Sequence, residues 1–231
     1  MKKQMVGEVP GNVLGMMADL ALKLQNGVIT LGQFGRFLKK ENPFIEGDFS
    51  EVLTGRQNFW RKITGNEYDF SKLHIPVKPE GKWRLLITVD ITLEALYAKC
   101  KEMFPCWRWT DKNLDTIVVK NERDAENGPY AIWVKDGVEA DENLKNKSAN
   151  DIEKDGISTE TLAERLVHEL EFFLETGKHL DVKNITLCSG SRYDDGHVPV
   201  VRWFPHYGKM LVHWYYPVRR DGRLRSRQAV S

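Results

Sequence analysis

From Trp83 onwards the spacing of apolar residues switches repeatedly between a period of two and a helical period, and this limits the chain to folds that layer helices on sheets. Trp83, Leu85, Ile87 and Val89 alternate with Arg84, Leu86 and Thr88, which predicts a half-buried strand. Leu93, Leu96, Tyr97, Cys100, Met103 and Phe104 then recur at helical spacing over 92–104, so Cys100 reads as core packing. Strands are expected at 115–120 and 130–136, joined by a polar turn region containing Asn127-Gly128. A helix over 159–176 turns Leu162, Leu166, Leu170, Phe173 and Leu174 inward and stops at Gly177, where a left-handed residue ends a helix cheaply. Strands at 183–189, 198–204 and 210–216 complete the chain, separated by Asp194-Asp195-Gly196 and Tyr207-Gly208. The order from 83 to 189 is βαββαβ, so the expected fold is α+β with a ferredoxin-like core and a C-terminal hairpin.

Upstream, Val13, Met16, Met17, Leu20, Ala21 and Leu24 form an apolar stripe ended by Gly27, and Thr30 to Gln33 fits a capping box before Phe34, Phe37 and Leu38. Asn42-Pro43 closes this second helix. The expected organisation is a helical hairpin over 1–45, a linker over 46–80 and an α+β domain over 81–231. The segment 137–157 is too long for an ordinary loop and is expected to carry structure or a function of its own.

Hydrophobic content of 41% and charged content of 29% are those of a globular chain, which excludes disorder and fibrous repeats. No apolar run is long enough to span a bilayer, and Lys2, Lys3 and Glu8 interrupt any signal core, so a cytoplasmic protein with no membrane partner is expected. Cys100, Cys106 and Cys188 are odd in number and contain no CxxC pair, which argues for a reducing compartment and against a zinc ribbon.

Net charge is +1, yet it is unevenly spread. Residues 136–175 hold twelve acidic side chains against four Lys or Arg, and residues 192–231 hold eight Lys or Arg against three Asp. The tail Arg219-Arg220-Asp221-Gly222-Arg223-Leu224-Arg225-Ser226-Arg227 is the strongest anion-binding signal, because clustered guanidinium groups are what phosphates select. Its charge is opposite to that of 137–157, so the tail is expected to lie loosely across that segment. Trp107-Arg108-Trp109, and Arg202, Trp203, His213, Trp214, Tyr215 and Tyr216, pair planar rings with cations in a way that suits base stacking and protein hot spots alike.

Other motifs are weaker. Gly128 to Val134 has a faint likeness to an RNA-recognition strand but lacks its leading basic residue and second aromatic. His168 opens His-Glu-Leu-Glu, yet Phe172 stands where HExxH needs its second His, so His168 reads as a solvated helix residue. Asp194-Asp195-Gly196-His197 reads as a tight turn, and no metal set or cofactor motif emerges. Leu187-Cys188-Ser189-Gly190-Ser191-Arg192 ends a strand in small residues, a geometry able to expose a nucleophile or cradle an anion, with His197 or His206 as a candidate base.

Phe104 to Asp111, Tyr130 to Asp136, Val138 to Glu142, Thr176 to Asp181 and Thr186 to Arg192 together resemble a family of bacterial proteins, common in candidate-phylum genomes, that has no assigned activity. The likeness spans roughly 83–227, and the Cys-Ser-Gly-Ser-Arg turn is its most recognisable part. It implies a bacterial cytoplasmic setting and no mechanism.

Two expectations follow. The first is a non-enzymatic binding module that contacts nucleic acid or a protein through Arg192, Trp203, Arg219, Arg220, Arg223, Arg225 and Arg227. The alternative is a small hydrolase or transferase that uses Cys188.

Overall fold

The computed structural model describes residues 11–26, 28–29, 31–39 and 49–231. The chain divides into two compact units, residues 1–49 and 50–231. In the first, α1 (Gly11–Gln25) and α2 (Leu31–Leu38) are the expected helices. Met16, Met17, Phe37 and Leu38 of their apolar stripes are exposed, as is Leu31. The expected stops and caps at Gly27, Thr30 and Asn42-Pro43 lie outside the described residues.

The expected linker is largely part of the second unit. Residues 50–64 form α3 (Ser50–Thr64), whose Phe59, Trp60 and Ile63 are buried. Trp60 Nε1 donates to the Ile87 carbonyl oxygen at 2.9 Å, and Phe70 beyond the helix is buried too. Burying side chains of this size is worth ~1.5–3 kcal/mol each, so this stretch is a part of the core.

In the second unit β1 (Trp83–Thr88), α4 (Leu93–Met103), β2 (Cys106–Arg108), α5 (Leu114–Ile117), β3 (Val118–Asn121) and β4 (Tyr130–Lys135) come first. A 3-10 turn at Glu142–Leu144 and the short helix α6 (Ala149–Lys154) follow, so the acidic segment does carry structure. Then come α7 (Leu162–Thr176), β5 (Ile185–Leu187), β6 (Ser191–Tyr193), β7 (Val198–Phe204), β8 (Lys209–Tyr215), β9 (Leu224–Arg225) and β10 (Ala229–Val230). Among the described residues no helix is long and apolar enough to cross a membrane.

The fold is α+β, but its strands do not lie in the expected single sheet. β1, β4 and β10 form one sheet in that order, β2, β8, β7, β5 and β9 a second, and β3 pairs with β6. β1 and β4 are antiparallel neighbours, Leu86 opposite Ile132, as the first and third strands of a split βαβ core are, but the second expected strand, β3, pairs with β6 and the fourth, β5, lies in the second sheet. Part of the expected strand at 115–120 is helical, because Asn113 caps the backbone N–H of Asp115 at 2.7 Å and starts a turn.

Helix α7 is the centre of this unit. Thr161 and Glu164 form a reciprocal capping box at its start, and Gly177 ends it at φ 66°. It packs against β1, α4 and β7, so both its apolar and its charged sides are enclosed. Glu164, Arg165, His168, Glu169 and Glu171 are buried, which corrects the solvated face expected for His168.

The arginine tail closes the core. β9 runs parallel to β5, with Ile185 opposite Leu224, and β10 runs antiparallel to β4, with Ala229 opposite Val134. The tail does cross the acidic segment, but through a fixed ladder. Asp141 N–H donates to the Ser226 oxygen and Asn146 N–H to that of Leu224.

Candidate functional site

The seven residues proposed from sequence do not form one surface. Arg225 and Arg227 are buried structural cations. Arg225 donates to Glu142 Oε2 through Nε at 2.9 Å. Arg227 donates to Asp181 Oδ1 and to the Val138 oxygen at 2.8 Å each, and to the Gly137 oxygen at 3.0 Å. Spacing along the tail cannot separate these from exposed arginines; their occupation by Asp181 and Glu142 arises from residues 40 and more positions away.

Asp181 links Arg227 to Arg165, whose Nη2 lies 2.8 Å from Asp181 Oδ2 and whose Nη1 lies 2.8 Å from Glu169 Oε2. Glu169 in turn meets His179 Nδ1 at 2.9 Å. Burial pushes the Asp181 carboxyl up, but Arg227 and Arg165 outweigh it and hold the group down at about 2. Burial takes Glu160 the other way, up to about 7, against the pull of the same two arginines. Glu160 Oε1 lies 2.8 Å from His168 Nδ1, and burial drives the His168 imidazole well below its ordinary range, so it is neutral.

Trp203 faces this network. Its indole stacks on the His179 ring with centroids 3.4 Å apart, on the α7 side of the second sheet. Arg192 is spent locally, donating to the Ser189 and Ser191 carbonyl oxygens at 2.6 and 2.9 Å beside Glu153. Arg220 pairs with Asp151 of α6, 2.7 Å from Nε to Oδ2.

The Cys188 turn offers neither nucleophile nor anion cradle. Cys188 is fully buried, and burial drives its thiol well above the ordinary range. The backbone N–H groups of Cys188, Ser189, Gly190 and Ser191 donate to the oxygens of Pro199, Leu187, Glu160 and Cys188. Neither candidate base is committed to the thiol. His197 packs on Trp214 at 4.2 Å with its Nδ1 2.7 Å from Asp195, and His206 packs on Tyr207.

What remains is the other face of the second sheet. Strand geometry turns every second residue to one side, so Val198, Val200, Arg202 and Phe204 of β7 share a face with Leu211, His213 and Tyr215 of β8. Ile185 and Leu187 of β5 join them. Trp107 of β2 stands opposite Leu211 and extends the face to the sheet's edge. The end at Leu187 and Val198 is covered by Ala149 of α6 and by Leu224, forming a buried cluster against which Tyr215 packs. The other end is open, and there Ile185, Val200, Arg202, Phe204, Leu211, His213, Tyr215 and Arg223 line a groove of about 340 Å³.

The groove is both basic and aromatic. Arg202 has no carboxylate partner among the described residues; its guanidinium lies over the Phe204 ring at 4.7 Å. Desolvation lowers its pKa, and repulsion from Arg223 lowers it further, so two cations face the same space. Arg219 lies over Tyr215 at 5.8 Å. Asp221, 3.2 Å from Arg219 and 3.7 Å from Arg223, is the carboxylate that these two share. Trp107 is 44% exposed, its ring 5.9 Å from that of His213. Of the expected binding residues, Arg219 and Arg223 belong here. Arg202, His213 and Tyr215 stood in the aromatic–basic runs of the sequence, and the strand alternation separates them from Trp203 and Trp214.

Comparison of the chain with family models, with curated proteins and with solved structures finds no match to any of them.

Proposed function

We propose that this protein is a binding module without chemistry of its own that takes single-stranded nucleic acid on the open face of its second sheet. The observation that carries this reading is Arg202, a cation with no carboxylate partner among the described residues, held in a groove beside Arg223 and walled by Phe204, His213 and Tyr215. A positive groove supplies the phosphate attraction, and exposed ring faces such as Trp107 accept bases by stacking without demanding a sequence. Single strands are favoured over duplex because stacking needs bases free of their partners.

Fluorescence anisotropy with labelled single-stranded and duplex DNA and RNA tests it. Binding is expected at low micromolar protein in low salt, preferring single strands. Two to three phosphates neutralised by Arg202, Arg219 and Arg223 give a log–log salt slope of roughly −1.4 to −2.1. Replacing Trp107 by Ala is expected to weaken binding about 5- to 150-fold, the range of one lost base stack. Absence of single-strand binding in low salt overturns the proposal.

A further inference from the structure

The open part of this sheet face is short in both directions. Along β7 and β8 it is covered at the Val198–Tyr215 end by Ala149 and Leu224, and at the other end the turn at 205–208 ends both strands, with Tyr207 N–H donating to the Phe204 oxygen at 3.1 Å. Across the sheet, Arg202 of β7 and Trp107 of β2 both stand opposite Leu211 of β8, so the three form one row. β2 is an edge strand, and on the far side of β7 the face runs through Ile185 of β5 to Leu224 of β9, which is buried. Neighbouring strands lie roughly 4.8 Å apart, which separates Arg202 from Trp107 by about 10 Å along the row. One row nearer the turn Phe204 stands opposite Lys209, which is exposed and has no carboxylate partner among the described residues.

We infer, on the reading of this face as a single-strand site, that the nucleic acid crosses the β-strands along the row from Arg202 to Trp107, and that the site takes only a short segment of about three to four nucleotides, with Lys209 as a further phosphate contact. Stacked bases rise about 3.4 Å each, so about 10 Å holds roughly three steps between the phosphate on Arg202 and the base on Trp107. Leu211, half-buried between them, gives the intervening bases an apolar floor. Lys209 flanks the row on the side where the Arg202 guanidinium lies over Phe204, so both cations face one stretch of backbone. Its ammonium is a point charge on a flexible stem and follows phosphates without demanding a base.

The test measures affinity in low salt for oligothymidylates of about two to ten nucleotides. Affinity is expected to rise steeply up to about four nucleotides, and beyond that only in proportion to the number of registers a longer strand offers. Lys209→Gln is expected to weaken binding of the four-nucleotide strand about 1.4- to 5-fold, and the same change at the exposed Lys62 of α3, off this face, to leave it unaltered. A longer path would add about 5- to 150-fold for each further stacked base, so a steep gain from four nucleotides to ten overturns the short footprint and leaves the sheet-face reading standing. No loss from Lys209→Gln, or an equal loss from Lys62→Gln, overturns the role of Lys209. Failure of every length to bind overturns the footprint and the sheet-face reading together.

Discussion

The sharpest consequence of the buried tail is the fate of Arg227→Met, which keeps the length and apolar stem of the side chain and removes its charge and donors. In the native protein Arg227 is 1% exposed and holds Asp181 together with the Gly137 and Val138 carbonyl oxygens. Removing one partner of a buried ion pair costs about 3–5 kcal/mol, because the other charge stays buried with less compensation. Against a total stability of ~5–15 kcal/mol, that is enough to populate the unfolded state at physiological temperature. Urea unfolding followed by tryptophan fluorescence measures the loss. Its pH dependence carries the reasoning further. Asp181 is held at about 2, below its ordinary 3.8, so its stabilising contribution is present above pH 3.8 and lost as pH falls through 2. Without Arg227, burial again dominates and its carboxyl rises, so the variant gains relative stability on protonation. The deficit of Arg227→Met is therefore expected to be largest at pH 7 and to shrink towards pH 4. Arg219→Ala, at a position 52% exposed in its side chain, is expected to stay within about 0.5 kcal/mol of the native protein. If Arg227→Met is as stable as Arg219→Ala, the tail is an ornament on the core and the reasoning is wrong.

Deleting residues 219–231 removes β9 and β10 and the partners of Asp181 and Glu142, so the truncated chain is expected to lose cooperative unfolding; a native-like transition would contradict the sheet assignment. Glu171, fully buried, has Arg56 Nη1 3.1 Å from Oε2 but no aligned hydrogen-bond donor, and burial pushes it, like Glu160, up to about 7. For a raised carboxyl the contribution is full below about pH 4.5 and lost as pH rises through 7, about 3 kcal/mol for each fully buried group. Native stability is thus expected to fall between pH 5 and pH 8, and Glu171→Gln to remove about half of that fall; an unchanged slope refutes the assignment. The thiols are expected to be sluggish: Cys100 and Cys188 are buried and Cys106 is pushed up to about 12, so a disulfide exchange reagent at pH 7 should label them at the rate of global unfolding for the first two and far below a peptide thiol for the third. Rapid labelling of Cys188 in the native state would revive it as a nucleophile.

Local order was legible because its causes are local. The period-two run from Trp83 and the left-handed stop at Gly177 each act within a few residues, and the strand and the helix end appear at their expected places. The fate of the charges was not legible, because it depends on partners far along the chain. Arg225 and Arg227 look like Arg219 and Arg223 in sequence, yet the first two are buried and meet Glu142 and Asp181, whereas Arg223 lines the groove and Arg219 lies over Tyr215 beside it. His168 sits among glutamates that suggest a wet helix face, and enclosure by β1, α4 and β7 makes that face dry.

By itself the sequence determined the α+β character, the position of most helices and strands, and the presence of a basic, aromatic C-terminal region, since period, capping and composition are properties of short windows. Tertiary structure alone decided that the strands divide between sheets, that half of the arginine tail closes the core, and that Arg202, Arg223, Phe204, His213 and Tyr215 share one face while Trp203 looks the other way. The physical reason is that a strand's two-residue period states which side chains are opposed, whereas which side becomes core depends on what the distant chain brings to cover it.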